Sequence, residues 1–277
     1  MQSRTDRPAP RPAPVPAADR PAVAFFDVDN TVIRGASAYH LARELYRRRF
    51  FTAWDILWFG AHAFAYFLFG ENNVRIQKVR RRALDIIAGR TEAEMISIGE
   101  DVYDQVLGSR VFPGARALIG AHLAAGHEVW LVTATPREIG DLIARRLGAT
   151  GAVGTVAESR DGIYTGRLVG DMMHGEHKAD AVREIASRAG VELEDCSAYG
   201  DSINDVPMLS IVGHPCAINP DPRLRLHCAG TGWPVRDFRR RRRSVKRGVT
   251  TASWAGAAWA AAVVARAIHR RLFGRRP

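Results

Sequence analysis

Short apolar segments alternate with helical segments along most of this chain, and that alternation limits the folds open to it. The first apolar segment is Ala22–Val28, and further strands are predicted at 127–132, 151–158, 196–199 and 215–218. Helices are predicted between them at 115–125 and 178–189, and Asp161-Gly162 predicts a hairpin turn. Strands that alternate with helices form mostly parallel sheets with helices on both faces. The sequence therefore predicts an α/β fold.

A long helical stretch between the first two core strands suggests an inserted domain. We predict a helical cap at residues 36–112 and a catalytic core formed by residues 22–35 and 113–235. Residues 1–21 are rich in Pro and Ala and are predicted to form a disordered arm. Residues 236–277 are predicted to be a basic tail that contains an apolar helix.

The net charge of +11 is concentrated at one end of the chain. Residues 236–277 contain 13 of the 40 lysines and arginines but only one acidic residue, Asp237. The basic character therefore belongs to the tail, which makes nucleic acid a disfavoured partner for the core. Three cysteines without a metal-like spacing indicate reduced thiols, so we expect a cytoplasmic protein.

Carboxylates follow two of the predicted strands. Asp27 and Asp29 follow the first, where one carboxylate could accept a phosphoryl group and the other could act as acid and base. Asp201 and Asp205 follow the strand at 196–199, and oxygen ligands of this kind suit Mg²⁺. We predict a magnesium site whose ligands are Asp27, Asp29 through its backbone carbonyl, Asp201 and Asp205. Asn204 is predicted to orient these ligands. Turn formation and helix capping remain the alternative for acids after a strand.

Two weaker clusters are predicted to bind the substrate phosphate. A hydroxyl and free N–H groups at Thr133 and Ala134 suit a phosphate oxygen, although Thr is also a common helix cap. Lys178 opens a helix, where its ammonium would offset charge on the nucleophile and the phosphoryl group. A solvated surface lysine is the alternative. We assign Thr31, Thr133, Ala134 and Lys178 to phosphate binding, and Thr133 and Lys178 also to catalysis.

Together, these motifs resemble the phosphoserine-phosphatase-like branch of the haloacid dehalogenase superfamily over residues 22–235. The matching residues, in the family's order, are Asp27, Asp29, Thr133, Lys178, Asp201 and Asp205. The resemblance implies a Rossmann-like core, a helical cap, Mg²⁺ and a covalent phospho-aspartate on Asp27. An acid at Asp29 is typical of phosphatases and phosphomutases, whereas dehalogenases lack it. We therefore expect a phosphomonoester hydrolase, with a phosphomutase as the alternative.

The sequence departs from true phosphoserine phosphatases in two places. Those enzymes carry a Glu nine residues after the nucleophile, where it binds the substrate ammonium, but this chain has Ala36 there. Their second motif usually reads Ser-Gly-Gly, whereas here it is Thr133-Ala134-Thr135. An ammonium without its carboxylate partner would cost on the order of several kcal/mol of binding free energy. We therefore expect a small phosphorylated substrate other than phosphoserine.

Two apolar segments indicate contact with lipid. Residues 50–69 of the cap are dense in aromatic side chains, and the uncharged run 249–265 is flanked by arginines on both sides. Such a run suits an anionic membrane surface, and an apolar cap suits a lipid-derived phosphate. Packing of the cap and docking of an Ala-rich helix on the core remain alternatives. A membrane- or nucleic-acid-binding adaptor that keeps the fold is the rival function, but such an adaptor would have no use for both Asp27 and Asp29.

Overall fold

The structure is a computed structural model, and it describes residues 22–50, 54–55 and 81–239. Most of the aromatic segment 50–69 and all of the run 249–265 lie outside the described residues. Within the described ranges, no helix is both long enough and apolar enough to cross a membrane. The hypotheses about lipid contact therefore stay predictions.

Six parallel strands form the central sheet, in the spatial order β3-β2-β1-β6-β7-β8. The strands are β1 (Val23–Phe26), β2 (Glu128–Pro136), β3 (Gly151–Thr155), β6 (Ser197–Gly200), β7 (His214–Ile218) and β8 (Val235–Arg236). A separate antiparallel hairpin joins β4 (Ala157–Arg160) to β5 (Ile163–Leu168). The predicted α/β class with a mostly parallel sheet is thus confirmed.

Helices pack against both faces of the sheet. They are α1 (Ser37–Arg47), α2 (Glu92–Val102), α3 (Pro113–Ala124), α4 (Arg137–Leu147), α5 (Glu176–Ala189), α6 (Val206–Ser210) and α7 (Pro222–Thr231), and residues 81–87 are helical as well. Phe25 and Phe26 of β1 are both fully buried, but they belong to two different apolar clusters. Successive strand residues point to opposite faces, so β1 is covered on both sides. This explains why β1 is a continuous apolar run.

The hairpin turn at Asp161-Gly162 is confirmed. Asp161 has φ 52° and Gly162 has φ 76°, so both central residues of the turn adopt the left-handed region. Two-residue hairpin turns with two positive φ angles match the twist of the flanking strands and favour Asp-Gly. The local sequence is therefore sufficient to specify this turn.

A buried histidine pair packs beside Tyr199 of β6. His122 Nδ1 is 2.9 Å from His127 Nδ1, and His122 Nε2 is 2.8 Å from the hydroxyl of Tyr199. The His122 side chain is fully buried. Burial, followed by the nearby His127 and Arg236, lowers the pKa of His122 to about 4. The fold therefore favours the neutral imidazole.

We expect this pair to make the fold sensitive to acid. The unfolded chain binds a proton on His122 near its ordinary pKa of 6.5, whereas the folded chain binds it only near 4. The neutral His122 side chain therefore contributes fully to stability above pH 6.5. As the pH falls from 6.5 towards 4, the free energy of unfolding decreases by about 3 kcal/mol. Urea unfolding at pH 7 and at pH 4 measures this decrease. We expect the decrease in the free energy of unfolding to be smaller in His122→Gln than in wild type by about this amount. His214→Gln, at an exposed position, serves as the control, and equal losses in all three proteins would contradict the assignment.

Candidate functional site

Three adjacent strands deliver the predicted site residues to one edge of the sheet. Asp27 follows β1, Asp201 follows β6 and Thr133 lies in the last part of β2. The strands β2, β1 and β6 are neighbours and parallel, so their carboxyl ends meet at one edge. The backbone N–H of Asp27 donates to Tyr199 O at 2.8 Å, which ties the ends of β1 and β6 together.

Lys178 bridges two carboxylates at this edge. Its Nζ donates to Asp27 Oδ1 at 2.6 Å and to Asp205 Oδ1 at 2.7 Å. All three side chains are buried, with Lys178 only 4% exposed and Asp27 only 6% exposed. Lys178 lies in the first turn of α5, so the backbone of that helix holds the ammonium in place. The surface-lysine alternative is therefore wrong.

Burial and like charges raise the pKa values of the carboxyl groups. Burial raises the pKa of Asp27 to about 7, because the opposing attraction of Lys178 is partly cancelled by Asp205 and Asp29. Burial, Asp27 and Asp205 together raise the pKa of Asp201 to about 9. Burial alone would lower the pKa of Lys178, but Asp27 and Asp205 raise it above its ordinary value. The ammonium therefore stays charged, but a single lysine is not enough to keep all three carboxyl groups ionised.

The carboxylate cluster fits a hard divalent cation. Oxygens of Asp27, Asp201 and Asp205 all lie within 4.8 Å of one another. A small oxygen-ligated ion such as Mg²⁺ needs few protein carboxylates, because it retains waters and binds substrate phosphate. Such an ion would favour the ionised form of these carboxyl groups, which one lysine alone does not maintain. The Asp29 carboxylate is not part of this cluster, and the metal role predicted for its backbone carbonyl stays a prediction.

Backbone N–H groups orient Asp205. Its Oδ2 accepts from the N–H groups of Asp201 and Ser202, each at 3.2 Å. A Cβ on Gly200 would stand only 2.7 Å from this oxygen, so the approach requires glycine. Asn204 was predicted to orient the ligands, but its side chain is exposed and makes no hydrogen bond within the described part of the chain. The loop backbone performs the orientation instead, because a tight turn points consecutive N–H groups at one oxygen.

A chain of hydrogen bonds connects Asp29 to the second motif. Asp29 Oδ1 accepts from the backbone N–H of Ser37 at 2.8 Å, at the start of α1. The Ser37 hydroxyl is 2.8 Å from Thr135 Oγ1, which in turn accepts from Thr133 Oγ1 at 3.0 Å. Burial raises the pKa of Asp29, although the contact with Ser37 partly opposes this. The carboxyl is therefore oriented by the first helix of the predicted cap.

The remaining predicted phosphate ligands lie at the same edge. Thr31 is fully buried, and its hydroxyl has no hydrogen-bond partner among the residues described. The register between β2 and β3 shifts after Val132, so Thr133 and Ala134 fall between paired positions. Ala134 O accepts from the Thr155 hydroxyl at 2.8 Å. These residues keep their predicted place, and their roles stay proposals.

Sequence reasoning missed two residues in the loop after β7. Asn219 Nδ2 donates to Asn30 O at 2.8 Å, and its Oδ1 accepts from Phe238 N at 2.7 Å. Asp221 Oδ2 accepts from Ile203 N at 3.1 Å, and the Asp221 N–H donates to Asp201 O at 2.7 Å. Through these hydrogen bonds, the loop holds the backbone of both acidic motifs in place. The sequence pattern that could have indicated them is an Asn-Pro-Asp turn. This turn directly follows a predicted core strand, at the edge of the sheet where ligands bind.

The chain is similar in sequence to known hydrolases and phosphatases. The sequence pattern of the family described as haloacid dehalogenase-like hydrolase matches residues 24–210. Phosphoserine phosphatase SerB1 of Mycobacterium tuberculosis is 50% identical over 265 residues, covering 92% of this chain and 86% of that protein. Probable phosphatase Rv3661 from the same species is 36% identical, covering 85% of this chain and 84% of that protein.

A solved structure shares the fold. It comes from Bordetella pertussis Tohama I, is described as a protein with unknown function, and is 30% identical with a TM-score of 0.66. The match covers 79% of this chain and 99% of that chain. The similarity therefore extends over nearly the whole of the solved protein.

Proposed function

This chain belongs to the haloacid dehalogenase-like hydrolase family, and from that premise we propose that it is a Mg²⁺-dependent phosphomonoester hydrolase that forms a phospho-aspartate on Asp27. The observation that carries the proposal is the buried contact of Lys178 with Asp27 and Asp205, beside Asp201. A nucleophile that must approach an anionic phosphate needs a neighbouring cation, and Lys178 is held in that position.

In the first half of the reaction, a carboxylate oxygen of Asp27 attacks phosphorus and the bond from phosphorus to the alcohol oxygen breaks. The leaving oxygen takes its electron pair and a proton from the Asp29 carboxyl. The raised pKa of Asp29 favours this role, because burial stabilises the protonated carboxyl relative to the carboxylate. The Ser37 N–H holds the carboxyl in one orientation.

In the second half, water attacks the phosphorus of the phospho-aspartate. Asp29, now a carboxylate, takes a proton from that water, and the bond from phosphorus to Asp27 breaks to release inorganic phosphate. Lys178 offsets the negative charge on Asp27 before and after each transfer. Bound between Asp27, the Asp29 carbonyl, Asp201 and Asp205, Mg²⁺ would favour the ionised carboxylates and neutralise charge on the phosphoryl group.

The substrate that we propose differs from the substrate in the name of one relative. SerB1 is named a phosphoserine phosphatase, but Ala36 leaves this chain without the carboxylate that would pair with a substrate ammonium. Within the described segments near the start of α1, Glu44 is the nearest acid along the helix, and it pairs with Arg47 and Arg48. We therefore propose that the preferred substrate is a phosphomonoester that lacks an amino group.

Phosphate release from p-nitrophenyl phosphate tests the proposed class. We expect release in the presence of Mg²⁺ and a drop of about a hundredfold or more when EDTA replaces the metal, because the carboxylates would repel the substrate without a cation. Readdition of Mg²⁺ in excess should restore the rate. Equal rates with Mg²⁺ and with EDTA would refute the metal requirement. No turnover on a broad panel of phosphate esters would favour the adaptor.

The lipid hypothesis is a separate proposal that rests on the apolar segments 50–69 and 249–265. It predicts co-sedimentation of the full chain with anionic liposomes at low salt. A chain that ends at Arg239 is the control, because Phe238 still bonds to Asn219 in it. If both chains stay in the supernatant, membrane association fails and the hydrolase proposal is unaffected.

A further inference from the structure

Three basic side chains near the start of α1 have no part in the chemistry above. His40 lies in the first turns of α1, Arg43 lies one turn further on, and Arg110 precedes the return of the chain to the core. Arg34 N donates to Arg110 O at 3.0 Å, and Ile33 forms a bridge with Val111. The segments that leave and re-enter the core therefore run side by side at this point.

His40 is buried, and one of its ring nitrogens is unsatisfied within the described residues. Its side chain is only 8% exposed, and its Nδ1 has no hydrogen-bond partner within the described chain. Its Nε2 lies 3.9 Å from the point where a Cβ on Gly35 would stand, so the ring folds back over the turn that leads from Asp29 to α1. A buried polar atom without a partner costs free energy unless a ligand satisfies it.

Among the described residues, no acidic side chain pairs with the two arginines around His40. Burial, then Arg110 and then Arg43 lower the pKa of His40, so both guanidinium groups are within electrostatic reach of the ring. Neither guanidinium makes a hydrogen bond or an ion pair in the ranges that the structure describes. By contrast, Arg47 and Arg48 of the same helix both pair with Glu44. Within the described chain, the region beside His40 thus carries positive charge that no acidic side chain offsets.

The cluster lies close to the catalytic groups. Ser37, one helical turn before His40, contacts both Asp29 and Thr135. The first turn of α1 therefore packs against the acid that serves the leaving group, so the leaving group of a bound substrate would extend towards His40. At Ala36, where phosphoserine phosphatases carry a glutamate, this chain has no negative charge. The charge that meets the leaving group is thus reversed.

We propose that His40, Arg43 and Arg110 bind a second anionic group on the leaving-group side of the substrate, a carboxylate or a second phosphate. The proposal rests on the proposed function and narrows its substrate to phosphomonoesters that carry another negative charge. His40 would donate one hydrogen bond from its ring, and the two guanidinium groups would supply the charge. Arginine suits both carboxylate and phosphate because its planar fork matches their oxygens.

Four esters of similar size test the charge preference. They are ethyl phosphate, 3-phosphooxypropanoate with a carboxylate, phosphoethanolamine with an ammonium, and phosphoserine with both groups. We expect kcat/KM to be about tenfold or more higher for 3-phosphooxypropanoate than for ethyl phosphate, and lower for phosphoethanolamine. Phosphoserine should be a poorer substrate than 3-phosphooxypropanoate. Ethylene glycol bisphosphate shows whether a second phosphate replaces the carboxylate. Equal kcat/KM for the charged and uncharged esters would overturn the proposal.

Two variants test whether His40 and Arg110 cause the preference for a negatively charged ester. Arg110→Met and His40→Ala should each reduce the ratio of kcat/KM between 3-phosphooxypropanoate and ethyl phosphate by about fivefold or more, whereas exposed Arg145→Met should keep the wild-type ratio. An unchanged ratio in folded Arg110→Met would overturn the assignment even if His40→Ala fails to fold. If the full chain hydrolyses no ester at all, the proposed function fails. In that case, calorimetric titration of the full chain in Mg²⁺ with 3-phosphooxypropanoate and with ethyl phosphate tests the proposed binding site. Equal affinities for the two esters would overturn it.

Discussion

Asp27→Asn should reduce phosphate release by roughly 10⁴-fold or more, the largest effect that we expect from a single substitution. The amide keeps the size of the side chain but is a much weaker nucleophile towards phosphorus. Lys178 would still bond to Asp205 at its present 2.7 Å distance. The variant also removes one ionisable carboxyl from a buried cluster of three, so we expect it to fold.

The measurement is phosphate release at saturating Mg²⁺, combined with acid quenching and mass spectrometry of the peptide that contains Asp27. Wild type should carry a phosphoryl group on that peptide during turnover, and the variant should not. Asp180→Asn is the matched control, because Asp180 lies on the same helix as Lys178 but is exposed and pairs with Arg183. More than a tenth of wild-type activity in Asp27→Asn would exclude Asp27 as the nucleophile.

Asp201→Asn should separate stability from activity. Burial and the charges of Asp27 and Asp205 raise the pKa of Asp201 to about 9, far above its ordinary value of 3.8. At pH 7 without metal, the folded chain must therefore take up a proton that the unfolded chain does not bind. This costs stability, and an amide avoids the cost. We expect the variant in EDTA to be more stable by about 2 kcal/mol, which raises Tm by about 5 °C.

The same substitution should remove the response to Mg²⁺. A ligand that binds only the folded state at a hundredfold above its Kd stabilises that state by about 2.7 kcal/mol. Wild type and Asp180→Asn should gain this stability in Mg²⁺, whereas Asp201→Asn should gain much less and lose nearly all activity. Thermal unfolding with and without Mg²⁺ reports this directly. If Asp201→Asn is less stable than wild type in EDTA, or shifts equally with Mg²⁺, Asp201 is not the ligand that we propose.

The acidic pairs were predictable because each depends on local sequence. Asp27 and Asp29 directly follow a buried strand, and Asp201 follows another, so the class of fold alone brings them to one edge of the sheet. Lys178 was a weak prediction from sequence, since a lysine in a first helical turn is usually solvated. Its burial depends on a contact with Asp27, which is 151 residues away in the chain.

Sequence alone determined the alternation of strands and helices, the Asp161-Gly162 turn and the acidic motifs, because strand periodicity and turn conformation depend on near neighbours. Tertiary structure decided which groups orient those acids. Ser37 reaches Thr135 across 98 positions, and Asn219 reaches the backbone of Asn30 across 189. Such partners are chosen by how helices and loops pack over the sheet, and a buried polar atom takes whichever partner that packing brings within hydrogen-bond distance.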